Sequence, residues 1–225
     1  MADSPYRPPV GNPPGGPGVQ SGRRAGVESP ARTIPFEDAA VVRQVQSGDV
    51  QAYAQLVLKY QDRVHNTCCR LCGNVEDARD VTQDAFLKAF ECIESFRGAS
   101  SFYTWLFRIA VNLAINHRRR TARTRHASVN GDGEGSSAAA SLADPAEPDP
   151  ALRMARGEMR GHVSRALREL DETYRVAVVL RDMEGFDYAE IAEILGVPKG
   201  TVKSRIARGR LALREALLPY MGLDG

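Results

Sequence analysis

Six basic side chains crowd into eighteen residues near the C-terminus. Between Val197 and Arg214 stand Lys199, Lys203, Arg205, Arg208, Arg210 and Arg214 with no acidic residue among them. The acidic stretch Asp182, Glu184, Asp187, Glu190 and Glu193 comes directly before. At helical spacing Val202, Ile206, Gly209 and Leu213 share one face, and Lys199, Thr201, Lys203, Ser204 and Arg208 fall largely on the other. A DNA major groove about 12 Å wide admits such a helix, and Lys, Arg and Ser near its start reach base edges or phosphates. Backbone amides at Gly200 and Thr201 can hold a phosphate themselves. The competing reading is a solvated basic face on a small bundle. Cap, turn glycine and charge polarity coincide here, which favours duplex DNA.

A second candidate lies upstream. Phe96, Phe102, Tyr103, Trp105 and Phe107 sit beside Arg97, Arg108 and the run Arg118-Arg119-Arg120. Aromatic stacking with basic tracking of the backbone is how single-stranded nucleic acid is held. Trp105 and Phe102 at helical spacing are more often packed core than stacking platforms, so Arg97 and Asn112 are the better contact candidates. Asp80, Gln83, Asp84 and Lys88 form a polar helix face whose default role is solvation. His65, Cys69 and Cys72 make an H-x3-C-x2-C pattern, three ligand types on one helical face. A structural zinc site needs a fourth ligand from elsewhere, so buried packing is expected and no metal or cofactor is assigned. Phosphate-binding loops, dinucleotide fingerprints, H-E-x-x-H and G-x-S-x-G are missing, and the histidines at 65, 117, 126 and 162 are scattered. No enzyme is expected.

These residues need helices to position them, and 225 residues allow two small domains. Hydrophobic residues at 43% and charged residues at 26% suit a folded soluble protein, and one basic helix on a nearly balanced net charge of +2 suggests a local polyanion contact. The longest strongly apolar stretch is Val176–Leu180, far short of the roughly 20 residues a membrane span requires. The start MADSPYRPPVGNPPGG has no apolar core of the secretory kind, so a reducing, cytoplasmic setting is expected for the four cysteines. Residues 1–33, rich in Pro and Gly, read as a disordered tail, and 121–150 as a flexible linker. The modules 34–120 and 151–222 remain.

Both modules read as all-α. Asp49 caps a helix with apolar positions Leu56, Val57, Tyr60, Val64, Cys68 and Leu71; Gly73 ends it and Asn74 opens the next. That second helix buries Ala78, Val81, Ala85, Ala89 and Ile93. Ser100 or Ser101 caps a third with the stripe Phe102, Trp105, Leu106, Ile109, Leu113, and Arg108, Asn112 and Asn116 on the other side. In the second module Gly185 ends a helix over 176–183, and Asp187 and Glu190 form a capping box for Tyr188–Leu195. Gly196 closes that helix and Pro198 fits the first turn of the basic helix, a helix-turn-helix arrangement.

The stretches DARDVTQDAFLKAF, SFRGASSFYTWLFRIAVNLAINHRRR and DYAEIAEILGVPKGTVKSRIARGRLAL resemble the two main regions of bacterial RNA polymerase sigma factors. The short two-domain form is similar to the extracytoplasmic function (ECF) subfamily. The resemblance covers about 36–120 and 151–218, and the F-R-G-x-S-S-F-x-T-W-L-x-R-I-A-x-N run is its most specific part. It implies a subunit that binds core RNA polymerase, recognises −35 and −10 promoter elements and opens the DNA. It places polymerase docking on Asp80, Gln83, Asp84 and Lys88. Phe96, Arg97, Ser100, Ser101, Arg108, Asn112, Asn116 and Arg119 fall on its −10 region, where a base is flipped out. Lys199, Gly200, Thr201, Lys203, Ser204 and Arg208 fall on its −35 recognition helix. The linker matches the segment that threads toward the polymerase active-site channel, and its acidic Asp132, Glu134, Asp144, Glu147 and Asp149 suit a basic path. An anti-sigma factor is the further partner implied. The Pro/Gly-rich tail lies outside the family core, and Tyr103, Val111 and Ala207 depart from its common residues. The alternative is a regulator that binds duplex DNA through its helix-turn-helix without serving the polymerase.

Overall fold

A computed structural model describes residues 36–127 and 150–220, all within one compact unit, Arg32–Gly225. Among the described residues the regular structure is helical throughout. The expected tail 1–33 lies outside them, as do linker residues 128–149.

The first module holds α1 (Phe36–Gln46), α2 (Val50–Cys72), α3 (Val75–Cys92) and α4 (Phe102–Ala127). The expected punctuation is all present. The Asp49 carboxylate accepts from the amides of Gln51 and Ala52, Gly73 takes φ +77° at the α2 C-terminus, and the Asn74 side chain accepts from the Glu76 amide. Ser101 Oγ accepts from the Thr104 amide at 3.0 Å, which settles the choice of cap for α4. Leu56, Val64, Leu106 and Phe107 are at most 1% exposed. Each such side chain contributes about 1.5–3 kcal/mol through burial. Buried Asp38 fastens α1 to α2 by accepting from Lys59 Nζ at 2.5 Å and from the Tyr60 hydroxyl.

Two expectations for α4 need correction. Its inward stripe is wider than Phe102–Leu113 suggests: Tyr103, Phe107, Ala110, Val111 and Ala114 are buried, whereas Ile109 and Leu113 are half-buried. The first turns of α4 are covered from several sides, by α2, α3 and the second module, so one stripe cannot serve. The helix also continues seven residues past Arg120. Residues 121–127 contain neither Gly nor Pro, and Thr121 and Thr124 bond back to the carbonyls of His117 and Arg120 at 3.1 Å.

The second module holds α5 (Pro150–Glu169), α6 (Glu172–Val178), a π-helical turn (Val179–Met183), α7 (Tyr188–Leu195) and α8 (Lys199–Leu217). Asp171 caps α6, and its hydrogen bonds from the Thr173 hydroxyl and amide hold its carboxyl below the usual range. Both halves of the Asp187–Glu190 capping box are formed. Pro198 is the cap of α8 rather than a residue of its first turn: with ψ 147° it is extended, and its carbonyl receives the Val202 amide. Arg175, 1% exposed, donates to the carbonyls of Leu167, Arg168 and Leu170 and so closes the end of α5. A Cβ on Gly209 would stand 2.6 Å from Val178 Cγ2 and 3.2 Å from the Tyr174 carbonyl oxygen. Only glycine lets α8 approach α6 this closely.

Candidate functional site

Three solvent-facing surfaces gather the candidate residues. On α8, Val202, Ile206 and Gly209 are buried against α6 and α7, while Lys199, Gly200, Lys203, Ser204 and Arg208 are exposed and Thr201 is half-exposed. Inward apolar anchoring fixes which way the basic side chains point. Ser204 Oγ donates to the Thr201 carbonyl at 2.9 Å, and Arg208 reaches the Tyr174 hydroxyl at 3.5 Å. Arg210 is committed to Asp182 at 2.5 Å and is therefore less available to a ligand. The first-turn amides of α8 without a backbone acceptor are those of Lys199 and Gly200, since that of Thr201 already bonds to the Pro198 carbonyl.

The second surface joins the loop after α3 to α4. Gln46 Nε2 donates to the carbonyls of Ile93 at 2.8 Å and Phe96 at 3.0 Å, which pins the loop base to α1. Gly98, with φ +71°, then turns the chain outward. Arg97 is exposed, Ser100 and Ser101 are half-buried, and Phe96 is half-buried against Phe102 and Trp105 at ring distances of 6.0 and 5.2 Å. Arg108, Asn112, Asn116 and Arg119 follow one α4 face at spacings of four, four and three residues. Arg119 is engaged with Glu172 of the second module at 2.9 Å. Phe102, Tyr103, Trp105 and Phe107 are core residues at 7% exposure or less, which decides against them as an open stacking platform. Phe96 is the aromatic left at the rim.

The third surface is α3. Asp80, Gln83, Asp84 and Lys88 are all exposed, opposite buried Ala78, Val81, Ala85 and Ala89. Lys88 pairs with Glu91 at 2.9 Å. Gln83 and Leu87 border a groove of about 620 Å³ between α2 and α3 that Tyr53, Val57, Phe86 and Phe90 also line.

In the cysteine cluster Cys68 is buried and Cys69 and Cys72 are half-buried. His65 Nε2 lies 3.5 Å from Cys69 Sγ, yet among the described residues no three His, Cys, Asp or Glu side chains converge as a metal site. Burial pushes the Cys68 and Cys72 thiols up to about 12. At pH 8 the thiolate fraction is then on the order of one in ten thousand. Iodoacetamide should therefore label both roughly a thousandfold more slowly in the native chain than in guanidinium, read by peptide mass spectrometry. Fast native labelling of Cys72 would restore a redox reading.

Glu184 and Phe186 are residues that sequence reasoning passed over, the first as one charge in an acidic stretch. The structure buries both, at 5% and 0% exposure, against α2 and α4. A carboxylate and a large aromatic flanking a turn glycine were the available signal.

The arrangement is similar to known proteins in both halves. The family model Sigma-70 region 2 matches residues 56–124, and Sigma-70, region 4 matches 161–213. RNA polymerase sigma-H factor of Pseudomonas aeruginosa is 40% identical over 187 residues, covering 82% of this chain and 96% of that protein. ECF RNA polymerase sigma-E factor of Haemophilus influenzae is 39% identical over 186 residues, covering 82% and 97%. Among solved structures, the sigma factor RpoE in complex with the anti-sigma factor NepR from Bartonella quintana has a TM-score of 0.62 at 28% identity, covering 78% of this chain and all of that one.

Proposed function

We propose, for a chain that belongs to the ECF group of RNA polymerase sigma factors, a division of promoter recognition among the three surfaces described above. The α3 face of Asp80, Gln83, Asp84 and Lys88 docks on core polymerase. The loop Phe96–Ser101 with Arg108, Asn112, Asn116 and Arg119 engages the −10 element as it opens. The exposed face of α8 reads the −35 element as duplex. Residues 34–120 and 151–222 are the two working modules, and the chain between them follows the polymerase surface. The chain directs initiation without catalysing it, and it works where the polymerase is, in the cytoplasm. An anti-sigma factor is its expected restraint, as NepR is the partner of the RpoE protein it resembles.

The observation that carries this reading is the polarity of α8. Its apolar residues and Gly209 are buried while Lys199, Lys203, Ser204 and Arg208 face solvent within its first ten residues. A helix mounted this way presents its N-terminal half to a major groove. Strand opening costs a few kcal/mol per unstacked base, which contacts to the flipped base and backbone offset.

The test is run-off transcription with purified chain, core polymerase and a genomic template pool, followed by sequencing of the 5′ ends. The wild-type chain should impose shared −35 and −10 elements on the start sites. Lys203→Ala and Arg208→Ala should each cost about 1–3 kcal/mol where they contact a base, roughly 5- to 150-fold in promoter use. Relaxed preference should be confined to the −35 element. Unchanged start sites in both variants would remove α8 from recognition.

A further inference from the structure

We infer that Tyr174 of α6 is a positioning residue for promoter recognition: its hydroxyl takes one end of the Arg208 guanidinium and so presents the other edge to a guanine. The inference rests on the proposed reading of the −35 element by α8.

Three arginines of α8 face the segment 171–183, and they are held differently. Arg210 spends the edge that carries Nε and Nη2 on Asp182, at 2.9 and 2.5 Å, one donor to each carboxylate oxygen. Arg205 is half-buried and acts on the Asp171 carboxylate, which is held below its usual range first by the Thr173 hydroxyl and also by the Arg205 charge. Among the described residues Arg208 pairs with no carboxylate; its Nη1 reaches the Tyr174 hydroxyl at 3.5 Å instead. A guanidinium is a planar fork of five N–H donors, and Nε with Nη2 form the edge that grips two acceptors side by side. Nη1 lies off that edge. The phenol therefore leaves Arg208 both its charge and its two-pronged edge, whereas a carboxylate has taken that of Arg210. In the major groove guanine offers O6 and N7 as adjacent acceptors, the commonest match for such an edge.

The phenol is itself firmly mounted. Arg175, the next residue, is 1% exposed and bonded to three carbonyls at the end of α5, so the start of α6 cannot rotate. Across the helix crossing, a Cβ on Gly209 would meet the Tyr174 carbonyl oxygen at 3.2 Å and the Tyr174 Cβ at 3.3 Å. Gly209 follows Arg208 directly, so the ring and the arginine leave their backbones beside the same point of contact. An unrestrained arginine loses rotamer freedom when it binds, and one already aimed loses less. A neutral contact of this length is weak enough to yield to a base while it still biases direction.

Tyr174→Phe removes the hydroxyl and keeps the ring. Full-length wild type, Tyr174→Phe, Arg208→Ala and the double variant are compared by run-off transcription from a promoter pool randomised through the −35 element. Thermal unfolding and affinity for core polymerase are measured alongside. In wild type one −35 position should favour guanine, and Arg208→Ala should abolish that preference. Tyr174→Phe should weaken it roughly two- to tenfold, the span expected for ordering one long side chain. The other −35 positions, the thermal midpoint and core affinity should stay as in wild type. The double variant should match Arg208→Ala alone, because the hydroxyl acts only through the guanidinium. A merely structural Tyr174 would instead lower preference at every −35 position together with the midpoint, and that pattern would overturn the inference. So would a guanine preference in Tyr174→Phe equal to wild type, or a double variant clearly worse than Arg208→Ala. Loss of preference for a base other than guanine in Arg208→Ala would overturn the edge assignment. If Lys203→Ala and Arg208→Ala leave every −35 preference intact, the proposed role of α8 fails and the positioning role with it. If they act as expected and Tyr174→Phe does not, only the positioning role falls.

Discussion

A chain carrying Asp80→Arg and Asp84→Arg should fold normally and lose about hundredfold in affinity for core polymerase. Both side chains are exposed on α3, over the turns whose inner face carries Val81 and Ala85, so the substitutions leave the core untouched. The local cost is one potential i,i+4 attraction, Asp84 toward Lys88, worth about 0.2–0.5 kcal/mol. The intermolecular effect is much larger. An acidic face that meets a basic partner gains encounter rate and register, and reversing it sets like charges together at a cost of several kcal/mol. Asp80→Asn with Asp84→Asn should fall between wild type and the reversal, since it removes attraction without adding repulsion. A pull-down of core polymerase at matched salt reads all three chains. Wild-type yields from the double reversal, with circular dichroism unchanged, would move docking off α3.

Trp105→Ala should destabilise the chain by about 3–5 kcal/mol, the usual cost of truncating a buried large aromatic. Trp105 is 7% exposed and packs on Phe96 at 5.2 Å and Phe102 at 5.7 Å, so the cavity would open beneath the loop that carries Arg97. The thermal midpoint should drop by roughly 10 °C or more, and −10 opening should fail as a consequence of the disordered loop base. Trp105→Phe should recover most of both. The opposite pattern, a variant with native thermal stability that fails only in strand opening, would make Trp105 a stacking residue and remove it from the core.

The parts legible in the sequence were those fixed by local chemistry. Asp49, Gly73, Asn74, Asp187 and Gly196 each act within a few residues of themselves, so their roles follow from residue type and spacing. The inward face of α8 follows equally from its period. The parts that escaped depend on contacts far apart in the chain. Tyr103 and Phe107 look like a second aromatic stripe until Phe186, some eighty residues on, covers them. Arg175 gave no signal within the run Tyr174–Val178, and it is buried because three carbonyls at the end of α5 converge on it. The stop of α4 escaped for a subtler reason. The chain loses its large apolar residues after Leu113 and Ile115, yet backbone helicity needs none while good helix formers continue.

The close seating of α8 on α6 at Gly209 has an effect on how promoter preference can diverge. With no side chain between the two backbones, the reading helix has one depth and one tilt, set by Val178 and the Tyr174 carbonyl. On the proposed role of α8, exchanging Lys199, Lys203, Ser204 or Arg208 should alter which bases are preferred and leave the mounting untouched. A larger residue at 209 would do the reverse, tilting the same lettering against the groove. On that role, base preference and placement on DNA would be separately adjustable properties of this helix, each held by its own set of positions.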